Sequence, residues 1–596
     1  MEQTPAFLNV ERSITGRRWT DRLDVMAQRQ SAAIAQTLGI PDVLARILAG
    51  RGVGTAEAAD YLNPTIRALM PEPYSLVDME ALAARLARAI GDGERIALFG
   101  DYDVDGACSV ALLVRYLRHF GIAPLVHIPD RLFEGYGPNI PAIDALIAAG
   151  ATLIVTLDCG TASREAIAHA RARGVDVLVV DHHIAPHVLP DANALVNPNR
   201  HDDISGLGTL SAAGVAFMVL VATSRILREA GETDLPNLMA HLDLVALATI
   251  CDVVPLTGLN RAFVVRGLEA MHAGANAGLS SLAIAARVNG PLNPYHLGFL
   301  LGPRINAGGR IGDAALGARL LATDDPHEAL TIAGELDALN GERQRIEYEA
   351  CEEAMAAAEA EIGDGEGPPV LVTASPNWHQ GVVGLVAARL RERFGRPAFA
   401  IALRPDGSGT GSGRSMPRVD LGAAVVAAVE EGLIEKGGGH AMAAGVTLAP
   451  GQIGPFRGFL SEMLGPAVAE ARKRTALKID AALTARGAHT DFVRDAERAG
   501  PYGSGNPTPV FAFPGHTIRF PEIVGEGGHV RFALASGDGA RLKGIAFRAA
   551  GTPLGDTLLR ARDGNTVHVA GTLGLDHWQG RETVQFRLID LAVPGG

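Results

Sequence analysis

A chain of 596 residues exceeds what one hydrophobic core can hold and predicts three or four domains. Its 47% hydrophobic and 20% charged residues are a globular composition, with no apolar run of membrane-span length and no basic-then-apolar leader, so a cytoplasmic protein is expected. A net charge of −13 excludes a general nucleic-acid coat and leaves room for a local basic groove.

Residues 1–75 read as mostly helical and are expected to pack on the domain that follows. In residues 76–322, strand-like runs at 95–99, 124–128, 152–157 and 176–180 alternate with helix-like runs at 107–120, 140–149 and 161–173. That alternation predicts right-handed βαβ units and a parallel sheet. Residues 323–362 predict one long connecting helix, capped by Thr323 or Asp324, with Pro326 in its first turn. A smaller α/β domain is expected over 363–468: strands near 370–374 and 398–403, helices near 381–394 and 420–431, and glycine-rich turns at 407–413 and 437–439. Five short strand-like runs between 509 and 590 give residues 469–596 the pattern of a small barrel of the OB type.

The chemistry gathers at the ends of the first strands. Asp101, Asp103 and Asp105 follow the run 95–99, Asp158 follows 153–157, and Asp181-His182-His183 follows 177–180. In an open parallel sheet, groups at the carboxyl ends of strands converge. Asp252 follows a helix-like run, 238–250, and has no strand to place it. Any one of these aspartates reads equally well as a helix cap. Capping does not explain three carboxylates in five residues, which repel one another unless a cation sits among them. Two divalent ions roughly 3.5–4 Å apart would clamp both oxygens of a phosphoryl displacement, with Asp158 as the bridging candidate and Asp103 and Asp105 addressing different ions. Cys108, Cys159, Cys251 and Cys351 have no paired spacing, and Cys159 and Cys251 read as buried thiols beside a hard, acidic set.

In the second half, Gly411-Ser412-Gly413-Arg414-Ser415 lets backbone approach an anion but lacks the lysine of a P-loop, so an ATPase reading is weak. Its bland alternative is a surface turn with solvated arginines. Gly437-Gly438-Gly439-His440 reads equally as a plain loop. Trp378-His379 precedes a helix start, where an anion would be favoured, and Trp378 also reads as core.

Together, Asp101-Tyr102-Asp103-Val104-Asp105-Gly106, Leu157-Asp158-Cys159-Gly160, Asp181-His182-His183 and Cys251-Asp252-Val253-Val254-Pro255 resemble the DHH phosphoesterase superfamily. With Asn306-Ala307-Gly308-Gly309-Arg310, the segments 378–384, 411–415 and 437–440, and Pro501–Pro507, the series resembles, nearly end to end, the superfamily's bacterial single-strand-specific DNA exonucleases. The resemblance implies a DHH parallel-sheet domain, a long helix, a DHH-associated α/β domain and an OB-like barrel. It implies metal ligands at Asp103, Asp105, Asp158, His182 and Asp252, two Mn2+ or Mg2+ ions, and Asp101 as a member of the same catalytic motif. Relatives such as family II pyrophosphatases carry a histidine where this chain has Phe99, so Asp101 or water must complete the first ion's shell. His183 is implied to contact the scissile phosphate or leaving oxygen. Ser412, Arg414, Arg310 and Arg304 are implied to form a terminal-phosphate pocket, with Asn306, His379 and His440 as further substrate contacts. The implied activity is 5′-to-3′ hydrolysis of single-stranded DNA to 5′-mononucleotides in recombination and repair. It would belong to a monomer working with a single-strand-binding protein and a helicase. A DHH phosphodiesterase on oligoribonucleotides or cyclic dinucleotides and an inactive DNA-binding scaffold are the alternatives. The barrel-like tail favours a polymer over the first, and the intact acidic set tells against the second.

Overall fold

The computed structural model describes residues 5–594 except 132, 364, 474–475, 526, 562–564 and 579–580. It divides into two units, one of residues 70–254 and 263–474, the other of residues 1–69, 255–262 and 475–596.

The first unit is built on a five-stranded parallel sheet. Its strands are β1 (Ile96–Gly100), β2 (Leu125–His127), β3 (Leu153–Leu157), β4 (Asp176–Val180) and β5 (Ala194–Val196), in the order β2-β1-β3-β4-β5. β1 and β3 are buried along their whole length, as expected of unbroken apolar strands covered on both faces. Helices Val104–His119, Ile140–Ala148 and Arg164–Ala172 connect the first four strands, close to the expected ranges.

The long helix spans Pro326–Ile362 and is capped by Asp325, whose carboxylate accepts the His327 N–H, rather than by Thr323 or Asp324. Those two are otherwise engaged: the Thr323 hydroxyl donates to Glu328 and Asp324 pairs with Arg115. The helix buries Ala329, Ile332, Ala333 and Leu336 near its start and Ala350, Ala354 and Ala358 near its end, so both halves are packed. Between them lies a polar stretch in which Glu347 bridges Arg343 and Arg389, the latter on helix Val383–Phe394 of the smaller domain.

The smaller domain has a mixed sheet of Leu371–Ser375, Ala398–Leu403, Gly409–Arg414, Lys436–His440 and Ala443–Leu448. The glycine-rich segments expected as turns are therefore strands. Gly411 faces Ile401 and Gly413 faces Phe399, whose side chains fill the space a Cβ would need. Glycine here permits close packing.

In the second unit, strands Phe511–Val524, His529–Ala535, Arg541–Ala546, Thr566–Trp578 and Arg581–Ala592 close a barrel through pairing of the first with the fourth. Residues up to Leu69, expected as part of a segment running to 75, form one unit with the barrel. Strand Arg18–Asp21 pairs in parallel with Ala476–Ile479, the fully buried Trp19 donates to Asp590 at 2.9 Å, and Arg51 pairs with Asp480 at 2.9 Å. Partners so distant in sequence leave no trace in local periodicity.

Candidate metal centre and phosphate pocket

The ends of β1, β3 and β4 bring the acidic motifs together. Asp103 caps helix Val104–His119, its carboxylate accepting the N–H groups of Asp105 (2.9 Å) and Gly106 (3.2 Å). Gly106 is required because a Cβ there would overlap the Asp101 backbone. Asp105 is buried, and its two oxygens accept the Ala212 and Ala213 N–H groups (2.6 and 2.8 Å) at the start of helix Ala212–Glu229. Asp252 arrives by another route, as the cap ending helix Leu242–Cys251. Asp158 (φ 63°) and Val253 (φ 61°) hold left-handed backbone, a strain that clusters at functional sites.

His182 Nε2 lies 3.3 Å from Asp158, 3.7 Å from Asp105 and 3.8 Å from Asp252. Its Nδ1 is 2.9 Å from the Leu210 carbonyl, which fixes the proton on Nδ1 and leaves the Nε2 lone pair free to ligate. Candidate ligand atoms fall into adjoining groups: Asp105, His182 and Asp252 in one, Asp101, Asp103 and Asp158 in another, with Asp158 also reaching His182 and His183. One carboxylate oxygen each of Asp101 and Asp158 is buried without a hydrogen-bond partner. Burial, and then neighbouring negative charge, pushes the carboxyls of Asp101 and Asp158 far up and that of Asp252 up to about 8. Orphaned, hard oxygen donors with one imidazole fit Mn2+ or Mg2+.

His183 is different in kind. Its Nδ1 is 2.8 Å from Asp181. Burial, which lowers its pKa, is outweighed by that hydrogen bond and the Asp181 charge, which raise it to about 9. An imidazolium donates a proton and does not ligate a metal. The Tyr136 hydroxyl, 3.0 Å from the same nitrogen, donates to the Asp158 carbonyl at 2.9 Å.

A cationic pocket adjoins these groups. Arg310, at the end of helix Gly302–Ile311, donates to the Gly381 carbonyl (2.9 Å). Arg414 donates to the Ser412 hydroxyl (2.7 Å), and His379 Nδ1 accepts the Gly381 N–H (3.0 Å), leaving Nε2 as the donor. Burial, then Arg131, Arg343 and Arg414, lowers Arg310 to about 10, and Asp103 opposes them. Arginines gathered in this way can bind an anion through charge-assisted contacts.

The other expected residues have surroundings of their own. Arg304 is held by Asp337 (2.8 Å) and the Leu300 carbonyl (2.8 Å). Asn306 is half-buried on the Arg310 helix, and His440 is exposed at the end of its strand. Trp378 is core, donating to Glu353 on the long helix at 2.9 Å. Cys159 and Cys251 are thiols whose pKa burial pushes up. Sequence reasoning missed Arg131 and Tyr136. The available signal was the length of the connection between β2 and the next helix, at the edge where sites form.

Three family models match the chain: the DHH family N-terminal domain over residues 95–249, the DHHA1 domain over 367–465 and the RecJ OB domain over 479–590. The chain is 36% identical over 560 residues to the single-stranded-DNA-specific exonuclease RecJ of Escherichia coli, covering 92% of this chain and 95% of that protein. Crystal structures of RecJ from Thermus thermophilus align at 30% identity over 95% of this chain. The Mn2+ complex has a TM-score of 0.78 with 78% of its chain covered, and the Mg2+ complex 0.72 with 77%. No described helix is long and apolar enough to cross a membrane.

Proposed function

This chain belongs to the RecJ family of single-stranded-DNA-specific exonucleases, and we propose that it shortens single strands from the 5′ end, releasing 5′-mononucleotides. Family membership makes it a metal-dependent nuclease of single-stranded DNA. The observation that carries the finer reading is the neighbourhood of ligand groups and arginine pocket: Gly309, next to Arg310, packs on the backbone of Tyr102, which lies between Asp101 and Asp103 of one ligand group.

The Asp101-Asp103-Asp158 and Asp105-His182-Asp252 groups would hold the divalent ions, which when bound would supply Lewis-acid chemistry to the phosphodiester and the attacking water. Arg310, Arg414 and Arg131, with Ser412, grip the 5′-terminal phosphate through forked, charge-assisted contacts. That grip places the next phosphodiester at the carboxylates. Water adds to its phosphorus and releases a proton to solvent, the bond to the 3′ oxygen of the terminal nucleotide breaks, and His183 gives that oxygen its proton. Asp181 keeps the proton on His183 until then. The shortened strand again ends in a 5′-phosphate, the group the pocket holds. Such an activity suits recombination and repair, where a helicase exposes single strands and a single-strand-binding protein covers them.

The match to a RecJ OB domain supports a polymer rather than a dinucleotide substrate. An inactive scaffold would have no cause to keep five mutually repelling carboxylates buried or half-buried at one edge. Strands labelled at either end test the reading, with and without Mn2+ or Mg2+. Early release of labelled mononucleotide from the 5′ end supports it. Shortening from the 3′ end overturns the polarity, and undiminished cleavage in chelator overturns the metal requirement.

A further inference from the structure

The connection between β2 and helix Ile140–Ala148 carries Arg131, Phe133 and Tyr136. Its far end is anchored independently: Tyr136 donates to the Asp158 carbonyl, and Gly137 (φ 77°) lies against Ser163. The Arg131 end is not. Arg131 is exposed, makes no ion pair or hydrogen bond among the described residues, and rests 5.1 Å from the Tyr102 ring centroid, a weak hold for a solvated cation. Tyr102 in turn packs against Gly309, the neighbour of Arg310, so the placement of Arg131 near that arginine must come from the backbone that carries it.

Glu134 organises that backbone. One of its oxygens accepts the Asp130 N–H at 2.9 Å. The other lies 2.9 Å from His127 Nε2 and accepts the Asn139 side-chain amide at 3.2 Å. The Glu134 and Gly135 N–H groups return to the Asp130 carbonyl (2.8 and 3.1 Å), closing a turn that has Arg131 inside it. His127 ends β2, and Asn139 caps the next helix by accepting the Ala142 N–H at 2.9 Å. One carboxylate thus ties the turn to two rigid elements. We infer that Glu134 is a positioning residue that aims Arg131 at the terminal phosphate of the strand. The inference rests on reading that pocket as the 5′-phosphate site.

A double-mutant cycle in the full-length, metal-loaded protein tests it, with kcat and KM measured on 5′-phosphoryl and 5′-hydroxyl strands at one salt concentration. Glu134→Ala is expected to shrink the 5′-phosphate preference in kcat/KM about tenfold, chiefly through KM, as does Arg131→Ala. The double variant should lose no more than either single one. Mn2+ binding, read by thermal shift, and kcat on 5′-hydroxyl strands should stay near the parent's for Glu134→Ala, and Glu134→Gln, which keeps an acceptor, should recover part of the preference. If Glu134→Ala does not fold, the same cycle with Glu134→Gln decides. An unchanged preference in the Glu134 variant beside a lost one in Arg131→Ala overturns the positioning role, and so do fully additive losses. An unchanged preference in Arg131→Ala itself overturns the pocket reading and this inference with it.

Discussion

Arg310 and Gly381 interlock the parallel-sheet domain with the smaller α/β domain. The Arg310 side chain donates to the Gly381 carbonyl at 2.9 Å, and a Cβ on Gly381 would stand 2.5 Å from the Arg310 carbonyl oxygen. The proposed phosphate pocket, which draws on both domains, would therefore be complete only while they are docked. The candidate metal ligands, none later than Asp252, do not share that dependence.

Gly381→Ala is accordingly expected to weaken use of 5′-phosphorylated strands while sparing Mn2+ binding. Arg414→Ala removes a charge-assisted contact of roughly 1.5–3 kcal/mol, about 10- to 150-fold in kcat/KM on the phosphorylated strand. Steady-state kinetics on paired 5′-phosphoryl and 5′-hydroxyl oligonucleotides measure both. An equal loss on the two substrates would assign Arg414 to general backbone contact.

Asp158→Asn is expected to abolish turnover and leave single-strand affinity largely intact, because affinity for a single strand is spread over many backbone and stacking contacts. Asparagine tolerates the left-handed backbone at this position (φ 63°) and isolates the lost charge from backbone strain better than alanine would. Gel-shift affinity and nuclease rate on one preparation separate the two effects. Near-parental turnover would remove Asp158 from the centre of the mechanism.

The pH dependence has a definite sign. Asp252, pushed up to about 8 by burial and then by Asp105 and Asp103, binds its proton more tightly folded than unfolded. The metal-free protein therefore loses stability as pH rises from about 4 through about 8, and the metal, which needs the carboxylate, binds more tightly over the same range. Melting curves with and without Mn2+ should diverge steadily from about pH 5 to about pH 8.5. Parallel curves would mean that Asp252 is not a ligand.

A fragment of residues 70–474 retains every proposed metal ligand and pocket residue. It should cut short oligonucleotides and lose affinity and digestion length on long strands. A chain that keeps residues 1–69 but ends at 474 should aggregate, because Trp19, Leu44 and Ile47 would lose the partners that bury them. Circular dichroism and light scattering establish folding first. Long-strand digestion by the folded fragment equal to the parent's would exclude the barrel as a DNA clamp.

The parallel sheet and its acidic edge were legible because unbroken apolar strands alternate with helices and because repelling carboxylates need a reason to cluster. Asp252 was legible only by resemblance, since a helix rather than a strand delivers it. The glycine strands 409–414 and 436–440 were misread as turns: the residues that demand their lack of side chains, such as Phe399 and Val425, lie elsewhere in the chain. Arg131 and Glu134 escaped notice because their value lies in where a turn is pinned, which composition does not reveal.

The parallel pairing of Arg18–Asp21 with Ala476–Ile479 also sets a timetable for synthesis. Ribosomes adding roughly 5–20 residues per second leave that first strand unpaired for about 20–90 s while the intervening chain emerges. During that interval Trp19 has no Asp590 to bond, and the first domain to complete itself is the one carrying the carboxylates. A nascent chain stalled before residue 476 would thus carry every candidate metal ligand while its first strand still lacked the partner that pairs with it.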